Sequence, residues 1–385
     1  MCEIMSRRIA YCTPSLYIAG GVERVLTTKA NYFADVLGYE IYIILTDGKG
    51  KEPYYKLSPK IKVIHLDINF EELWHLSFLR KIPVYLKKQR VFKRKLTEVL
   101  MDIKPDITVS LLRREINFIT SIKDGSKKVG EIHINRDNYR NFKTKDNNLL
   151  KSIFSYFWDK QLIGKLKKLD AFVVLTKDDK EKWTELKNVH VIPNPLSFFP
   201  KEQSLCVQPK IIAVGRYSHE KGFDRMAEAW KCIADECPQW ELHIYGGGNP
   251  AELKRQVNEL GIEGSFFLHE PCKNIERKYC ESSICLLTSR FEGFGMVIAE
   301  AMACGVPVVA FDCPYGPRNI ITDKEDGVLV ENGNIEQFSR QVKLLINDEA
   351  LRKQMGYQAR KNIGRLKMEN ISTEWITLFN QLLSE

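Results

Sequence analysis

The sequence predicts an α/β protein built from two doubly wound domains in tandem. Three observations carry that prediction: short apolar runs alternate with helix-period stretches, a proline-rich segment interrupts the alternation, and the same alternation then restarts. Strand, helix, strand in repetition implies a parallel sheet covered on both faces. In the first half RIAYCTP reads as a strand, GGVERVLTTKANYFADVL as a helix and YEIYIILT as a strand, followed by strands KVIHL, ITVSL, KVGEIHI, AFVVLT and HVIPN. The pause runs from Pro193 to Lys210, where four prolines and few helix formers mark an interdomain linker. The restart supplies KIIAVGRY, WELHIYGGG, SFFLHE, SICLLTS and VPVVAFD, separated by helical stretches such as RMAEAWKCIADECP and AELKRQVNELG. This reading gives a first domain over 1–195, a second over 205–365, and a C-terminal helix over 366–385 that packs back on the first domain. A cleft is expected between the two domains.

The bulk properties agree. A chain of 385 residues is long enough for two domains that each bury a core, and 44% apolar with 28% charged residues is ordinary globular composition. The N-terminus has no apolar segment of signal-peptide length and no eighteen uncharged apolar residues run together, so a cytoplasmic protein without a membrane span is expected. Ten cysteines contain no C-x-x-C pair, which reads as reduced core cysteines. The net charge of +9 divides unevenly: Lys+Arg minus Asp+Glu is 36 minus 23, or +13, for residues 1–200 and 22 minus 26, or −4, for the rest. The basic half is expected to face something anionic.

In open parallel sheets, ligands bind beyond the carboxyl ends of the strands. SICLLTS is such a strand, SRFEGFG its loop, MVIAEAMAC the following helix and Gly305 the left-handed stop. Gly293 and Gly295, with the helix start at Met296, offer an anion-favouring nest around Phe294. Glu292 precedes the helix and Glu300 lies one turn inside it, so both can face one crevice. A single glutamate there would only offset the helix dipole; two around a G-F-G loop suit a polyhydroxyl ligand. In VGRYSHEKGFD, Arg216 and Lys221 stand five residues apart across a turn, where two cations can hold a pyrophosphate. Gly247 and Gly248 follow the strand WELHIY, either as a plain turn or as the floor of a nucleotide site. Gly20 and Gly21 open the first helix, either for turn geometry or for close approach to phosphate or acceptor, and Glu23 either caps that helix or joins them. His133, in GEIHINRDN, is flanked by Glu131 and Asn135, and the role of Glu131 stays open.

EGFGMVIAE resembles the E-x7-E signature of the retaining family 4 glycosyltransferases. The longer run from Thr288 to Val330 is similar to the branch that builds bacterial capsule, O-antigen and lipopolysaccharide chains, VGRYSHEKGFD resembles the same family, and GGVERV matches more loosely. The resemblance implies the GT-B fold, two Rossmann-like domains facing a cleft. It also implies transfer of a hexose or N-acetylhexosamine from a nucleotide-sugar, a UDP-sugar first, to a hydroxyl of a lipid-linked saccharide. By carry-over, Glu292 accepts donor-sugar hydroxyls, Glu300 holds the ribose diol, Arg216 and Lys221 hold the diphosphate, and His133 hydrogen-bonds the donor sugar. The segment HEPCKN, His269 to Asn274, departs from the family's leucine-glycine turn, which weakens the carry-over of base recognition. No D-x-D stands in a metal-binding loop, so no metal and no cofactor are expected. A different GT-B enzyme, such as a nucleotide-sugar epimerase, is disfavoured by the glutamate pair. A Rossmann dinucleotide module is disfavoured because SLYIAGG lacks G-x-G-x-x-G.

The basic excess has a place. From Phe78 to Leu100 eight Lys/Arg lie between Arg80 and Lys95 with no acid among them, interleaved with Phe78, Tyr85, Leu86 and Phe92, and a second such stretch starts at Leu149. These suit either a solvated helix face or an anionic membrane surface, which would place the protein peripherally on the inner face of the plasma membrane. No nucleic-acid module accompanies the charge.

Overall fold

A computed structural model describes residues 6–139 and 159–384. The chain divides into two compact units, one of Met1–Pro195 with Met368–Glu385 and one of Leu196–Lys367.

The first unit holds β1 (Arg8–Thr13), β2 (Glu40–Leu45), β3 (Lys62–His65), β4 (Ile107–Ser110), β5 (Lys127–Glu131), β6 (Ala171–Val174) and β7 (Val189–Val191). All pair in parallel, in the order β3-β2-β1-β4-β5-β6-β7. The second holds β8 (Lys210–Val214), β9 (Glu241–Tyr245), β10 (Phe266–His269), β11 (Ile284–Leu287), β12 (Val308–Phe311) and β13 (Gly327–Val330), also parallel, in the order β10-β9-β8-β11-β12-β13. Central strands are buried on both faces, which is why RIAYCT and ICLL read as continuous apolar runs. In each sheet the chain reverses its direction of growth once, between β1 and β4 and between β8 and β11. Those two switch points are where open parallel sheets place ligands.

Each unit has its own core. In the second, the helix Phe223–Ala234 buries Met226, Ala227, Trp230 and Ile233 at helical spacing against Leu242, Ile244 and Phe338. In the first, the helix Gly21–Asp35 buries Val25, Leu26, Ala30 and Phe33, and Phe33 meets Phe379 of the terminal helix Met368–Ser384 edge-on at 6.1 Å.

Two local readings differ from the structure. Strand β13 is not among the runs read as strands, because it follows the charged segment 323–326 with only the short helix Pro317–Ile320 between it and β12, so the strand–helix alternation does not mark it. Strand β5 is shorter than KVGEIHI: its ladder closes with Ile132 N donating to Val173 O at 3.0 Å, and the chain bends beyond it. His133 is therefore outside the strand and does not share pleat parity with Glu131 and Asn135.

The basic stretch forms one helix, Phe78–Ile103. Its cations divide by role. Lys88 donates to Ile68 O at 2.6 Å and pairs with Glu72 at 2.9 Å, while Lys95 donates to Leu66 O at 2.6 Å. Arg80, Lys87, Arg90, Lys93 and Arg94 are exposed, as are Ile82 and Leu86. Phe92 is not on that surface but in the core. The second basic stretch lies outside the described residues from Leu149 to Trp158, and residues 159–166 are helical. Among the described residues no helix is long and apolar enough to cross a membrane.

Candidate active site

The second unit's switch point is built from the loop after β8 and the loop after β11. The first carries Gly215 to Gly222 and contains a single helical turn, His219–Lys221. The second carries Thr288 to Gly295 and feeds the helix Met296–Ala303, whose N-cap Gly295 has φ 97°. The first N–H groups of such a helix lack intrahelical acceptors, and the positive end of the dipole lies behind them.

The structure brings Lys221 and Glu292 together. Lys221 Nζ donates to Glu292 Oε1 at 2.7 Å, and Ser289 Oγ donates to the same oxygen at 2.6 Å. The pair is shielded but reachable, with side-chain exposures of 19% and 9%. Arg216 stands on the same loop with 76% of its side chain exposed, donating to Glu220 Oε1 at 2.8 Å, one helical turn's spacing away. An exposed pair of this kind contributes about 0.3–0.5 kcal/mol and yields easily to a stronger anion. Phe294 is buried and anchors the glycine loop, while Gly293 and Met296 are half-buried. Glu300 is buried one turn into the helix, where its carboxylate accepts from Ser197 Oγ at 2.9 Å and Tyr279 Oη at 3.5 Å.

Several residues that frame the site were not read from the sequence. Arg290 clamps the two loops: its guanidinium reaches both carboxylate oxygens of Asp224, at 2.8 and 2.5 Å, and His219 O at 2.7 Å. Arg290 N donates to Glu220 O at 2.8 Å, and Thr288 Oγ1 donates to Gly222 O at 2.8 Å. Gly222 is required there, since its φ is 63° and an added Cβ would lie 2.1 Å from Thr288 O. On the other side Tyr217 Oη donates to His269 O at 2.8 Å, and burial pushes its phenol up to about 12. Tyr217 N donates to Gly247 O at 2.8 Å, and Gly248 has φ 106°. The glycine that the packing demands is their neighbour Gly246, where a Cβ would meet Gly215 O at 1.7 Å. The local signal that points to this framework is thin: T-S-R one residue ahead of the E-G-F-G loop, and nothing at all for partners 66 positions apart.

The remaining predicted residues belong to the first unit. Gly20 is the N-cap of the helix Gly21–Asp35, and Glu23 occupies the space a Cβ at 20 would fill, 2.0 Å from it, whereas a Cβ on Gly21 would meet nothing. His133 Nε2 lies 3.4 Å from Glu131 Oε1. Glu131 itself is paired with Lys29 Nζ at 2.5 Å, with both side chains 1–2% exposed and Trp375 capping the ammonium at 4.1 Å. Burial pushes the Glu131 carboxyl up, and Lys29 and His133 outweigh that and hold it at about 2. Among the described residues no cluster of His, Cys, Asp and Glu could hold a metal ion.

Comparison with known proteins sets this geometry in a family. The model of the Glycosyl transferases group 1 matches residues 198–362, the span that contains the whole β8–β11 crevice. A Haemophilus influenzae protein described as an uncharacterized glycosyltransferase is 30% identical over 375 residues, covering 96% of this chain and 99% of its own. A Campylobacter jejuni alpha-1,4-N-acetyl-D-galactosaminyltransferase, named for a saccharide on diNAcBac-PP-undecaprenol, is 25% identical over 371 residues, 94% of this chain and 96% of its own. A solved S. aureus TarM mutant in complex with Fondaparinux, alpha-GlcNAc-glycerol and UDP superimposes with a TM-score of 0.75 at 17% identity, over 97% of this chain and 100% of that one. Two Rossmann-like units of this topology give the chain the GT-B fold of that solved neighbour. The chain belongs to the group 1 glycosyl transferases.

Proposed function

We propose that this enzyme transfers a hexose or N-acetylhexosamine from a UDP-sugar to a hydroxyl of a lipid-linked saccharide, with retention at the anomeric carbon, in the synthesis of a bacterial surface polysaccharide. The observation that carries the reading is the Lys221–Glu292 pair at the β8–β11 switch point, a reachable cation and a reachable carboxylate beside a helix N-terminus. Those groups match the two halves of a nucleotide-sugar: Lys221 and Arg216 suit the diphosphate, and Glu292 with the loop from Gly293 to Met296 suits the sugar hydroxyls. Support for the donor and acceptor classes comes from the relatives, one acting on a polyprenol-linked saccharide and one solved with UDP.

In this reading the acceptor oxygen bonds to C1 on the face from which the β-phosphate oxygen departs. The C1–O bond to the diphosphate breaks, and the acceptor proton passes to that departing oxygen. The protein supplies alignment and charge: Lys221 and Arg216 stabilise the leaving diphosphate, so no metal is proposed. Glu300 takes the ribose diol by exchanging Ser197 for it, while Gly247 and Gly248 border the nucleotide. Gly20, Gly21 and His133 are assigned to the first unit's contribution, His133 to a donor hydroxyl. The exposed cations of the helix Phe78–Ile103, with Ile82 and Leu86 beside them, hold the enzyme on the anionic inner face of the plasma membrane, at about 1 kcal/mol per cation.

The test is transfer by the purified chain from a panel of UDP- and GDP-sugars to polyprenyl-diphosphate-linked saccharides, with and without EDTA, and NMR of the product anomer. Retained configuration and indifference to EDTA are expected; an inverted product, or no nucleotide release from any donor, refutes the proposal. Changing Lys87, Arg90, Lys93 and Arg94 together to Glu should abolish sedimentation with phosphatidylglycerol vesicles, and unchanged sedimentation discards the membrane assignment.

A further inference from the structure

We propose that Arg290 is a positioning residue for transfer, acting through Lys221 by holding the turn His219–Lys221 against the loop that bears Glu292. The inference rests on the reading of Lys221 as a diphosphate cation, and it adds a residue that does not itself touch the donor. Lys221 sits on a turn of three residues between Ser218 and a left-handed glycine, too short to fix its own geometry by internal hydrogen bonds. Its placement comes from across the switch point. Arg290 N donates to Glu220 O, the residue before Lys221, and Arg290 Nη1 donates to His219 O, two before it. Both guanidinium nitrogens then lock onto Asp224 in the first turn of the following helix. The turn is thus held by one residue of the loop after β11, at its middle through the Arg290 backbone N–H and at its start and exit through the guanidinium, and Thr288 Oγ1 closes the seam at Gly222 O. The Arg290 side chain is 19% exposed, and three of its five N–H donors are committed to a carboxylate and a carbonyl within the framework.

A lysine at 290 keeps the charge but cannot span Asp224 and His219 together. A displacement of reacting groups by about 1 Å costs on the order of 10²-fold in rate. Arg290→Lys is therefore expected to lower kcat about ten- to a hundredfold while donor KM stays within about twofold. Asp224→Asn, which leaves Arg290 in place, is expected to give a loss of the same kind. The decisive reading is a double-mutant cycle with Lys221→Ala. If Arg290 works through Lys221, Arg290→Lys costs less than about twofold more once Lys221 is gone. Equal losses in the presence and absence of Lys221, or a lowered Tm with wild-type kcat for the folded protein, overturn the inference. Loss of activity in Lys221→Ala with wild-type kcat in both Arg290→Lys and Asp224→Asn overturns it alone. Full turnover by Lys221→Ala overturns the underlying reading of the site instead.

Discussion

Among the lysine–glutamate pairs that each unit's fold brings together across long sequence separation, Lys29–Glu131 in the first and Lys221–Glu292 in the second sit in different surroundings. Lys29 and Glu131 join the helix Gly21–Asp35 to β5, under Trp375, with almost no access to solvent. Lys221 and Glu292 join two loops at a switch point and keep 19% and 9% of their side chains exposed. The chemistry of the two pairs is the same, so burial decides what each can do. A sealed pair must keep its partner or strand a charge in the core, whereas a reachable pair can exchange its partner for a ligand. The comparison teaches that charge and residue type are not enough to mark a site; access at the carboxyl edge of the sheet is the deciding property.

The largest effect expected from this contrast is on stability. Lys29→Ala leaves Glu131 buried without its ammonium and should cost about 3–5 kcal/mol in urea denaturation of the first unit. Replacing both, Lys29→Met with Glu131→Leu, should recover most of that loss, because no charge is left uncompensated. A single variant with wild-type stability would break the contrast.

Next comes the reachable pair, where the loss should appear in rate and not in stability. Lys221→Ala removes a cation from the leaving group and should lower kcat about 10²–10³-fold. Its denaturation midpoint should move less than that of Lys29→Ala, since Lys221 keeps 19% of its side chain exposed against 1% for Lys29, and Ser289 Oγ continues to donate to Glu292. A large stability loss with normal turnover would make this pair structural, like the other.

Acid titration sharpens the same difference. The Glu131 carboxyl is held at about 2 in the folded protein against 4.5 ordinarily. Its folded value is below its unfolded value, so its contribution is complete above about pH 4.5 and is lost as the pH falls toward 2. Stability measured against pH should show that acid limb in the wild type, and the Lys29→Met, Glu131→Leu protein should show a flatter one.

How much of this was legible in the sequence follows the same division between local and distant. The alternation of apolar runs gives twelve of the thirteen strands among the described residues, because an apolar or alternating run followed by a helical stretch is written in the strand's own neighbourhood. Glu292, Lys221 and the glycine loop stood out because loop composition at a strand end is local too. What was not legible depends on partners far apart in the chain. Arg290 and Asp224 are separated by 66 positions and meet only because β8 and β11 are neighbours in the sheet. The sealed state of Lys29 is set by Trp375, at the far end of the chain, and no pattern around either residue announces it. His133 was assigned to a strand that ends two residues earlier, because apolar alternation continues past the last ladder bond.

The smallest effect concerns Arg216, whose present partner is weak. It is 76% exposed and paired with Glu220 at one turn's spacing, a geometry that contributes a few tenths of a kcal/mol. Glu220→Gln should therefore leave the denaturation midpoint unchanged. It also removes a carboxylate that competes with a diphosphate for the guanidinium, so donor KM should fall modestly, by about twofold, and more visibly at low salt, where exposed charges are less screened. Arg216→Ala should raise donor KM, and Glu220→Gln should then have no further effect, since the competition it relieves no longer exists. A Glu220→Gln variant whose KM rises, or falls equally without Arg216, would show that Glu220 acts on the turn that carries Lys221 and not on Arg216.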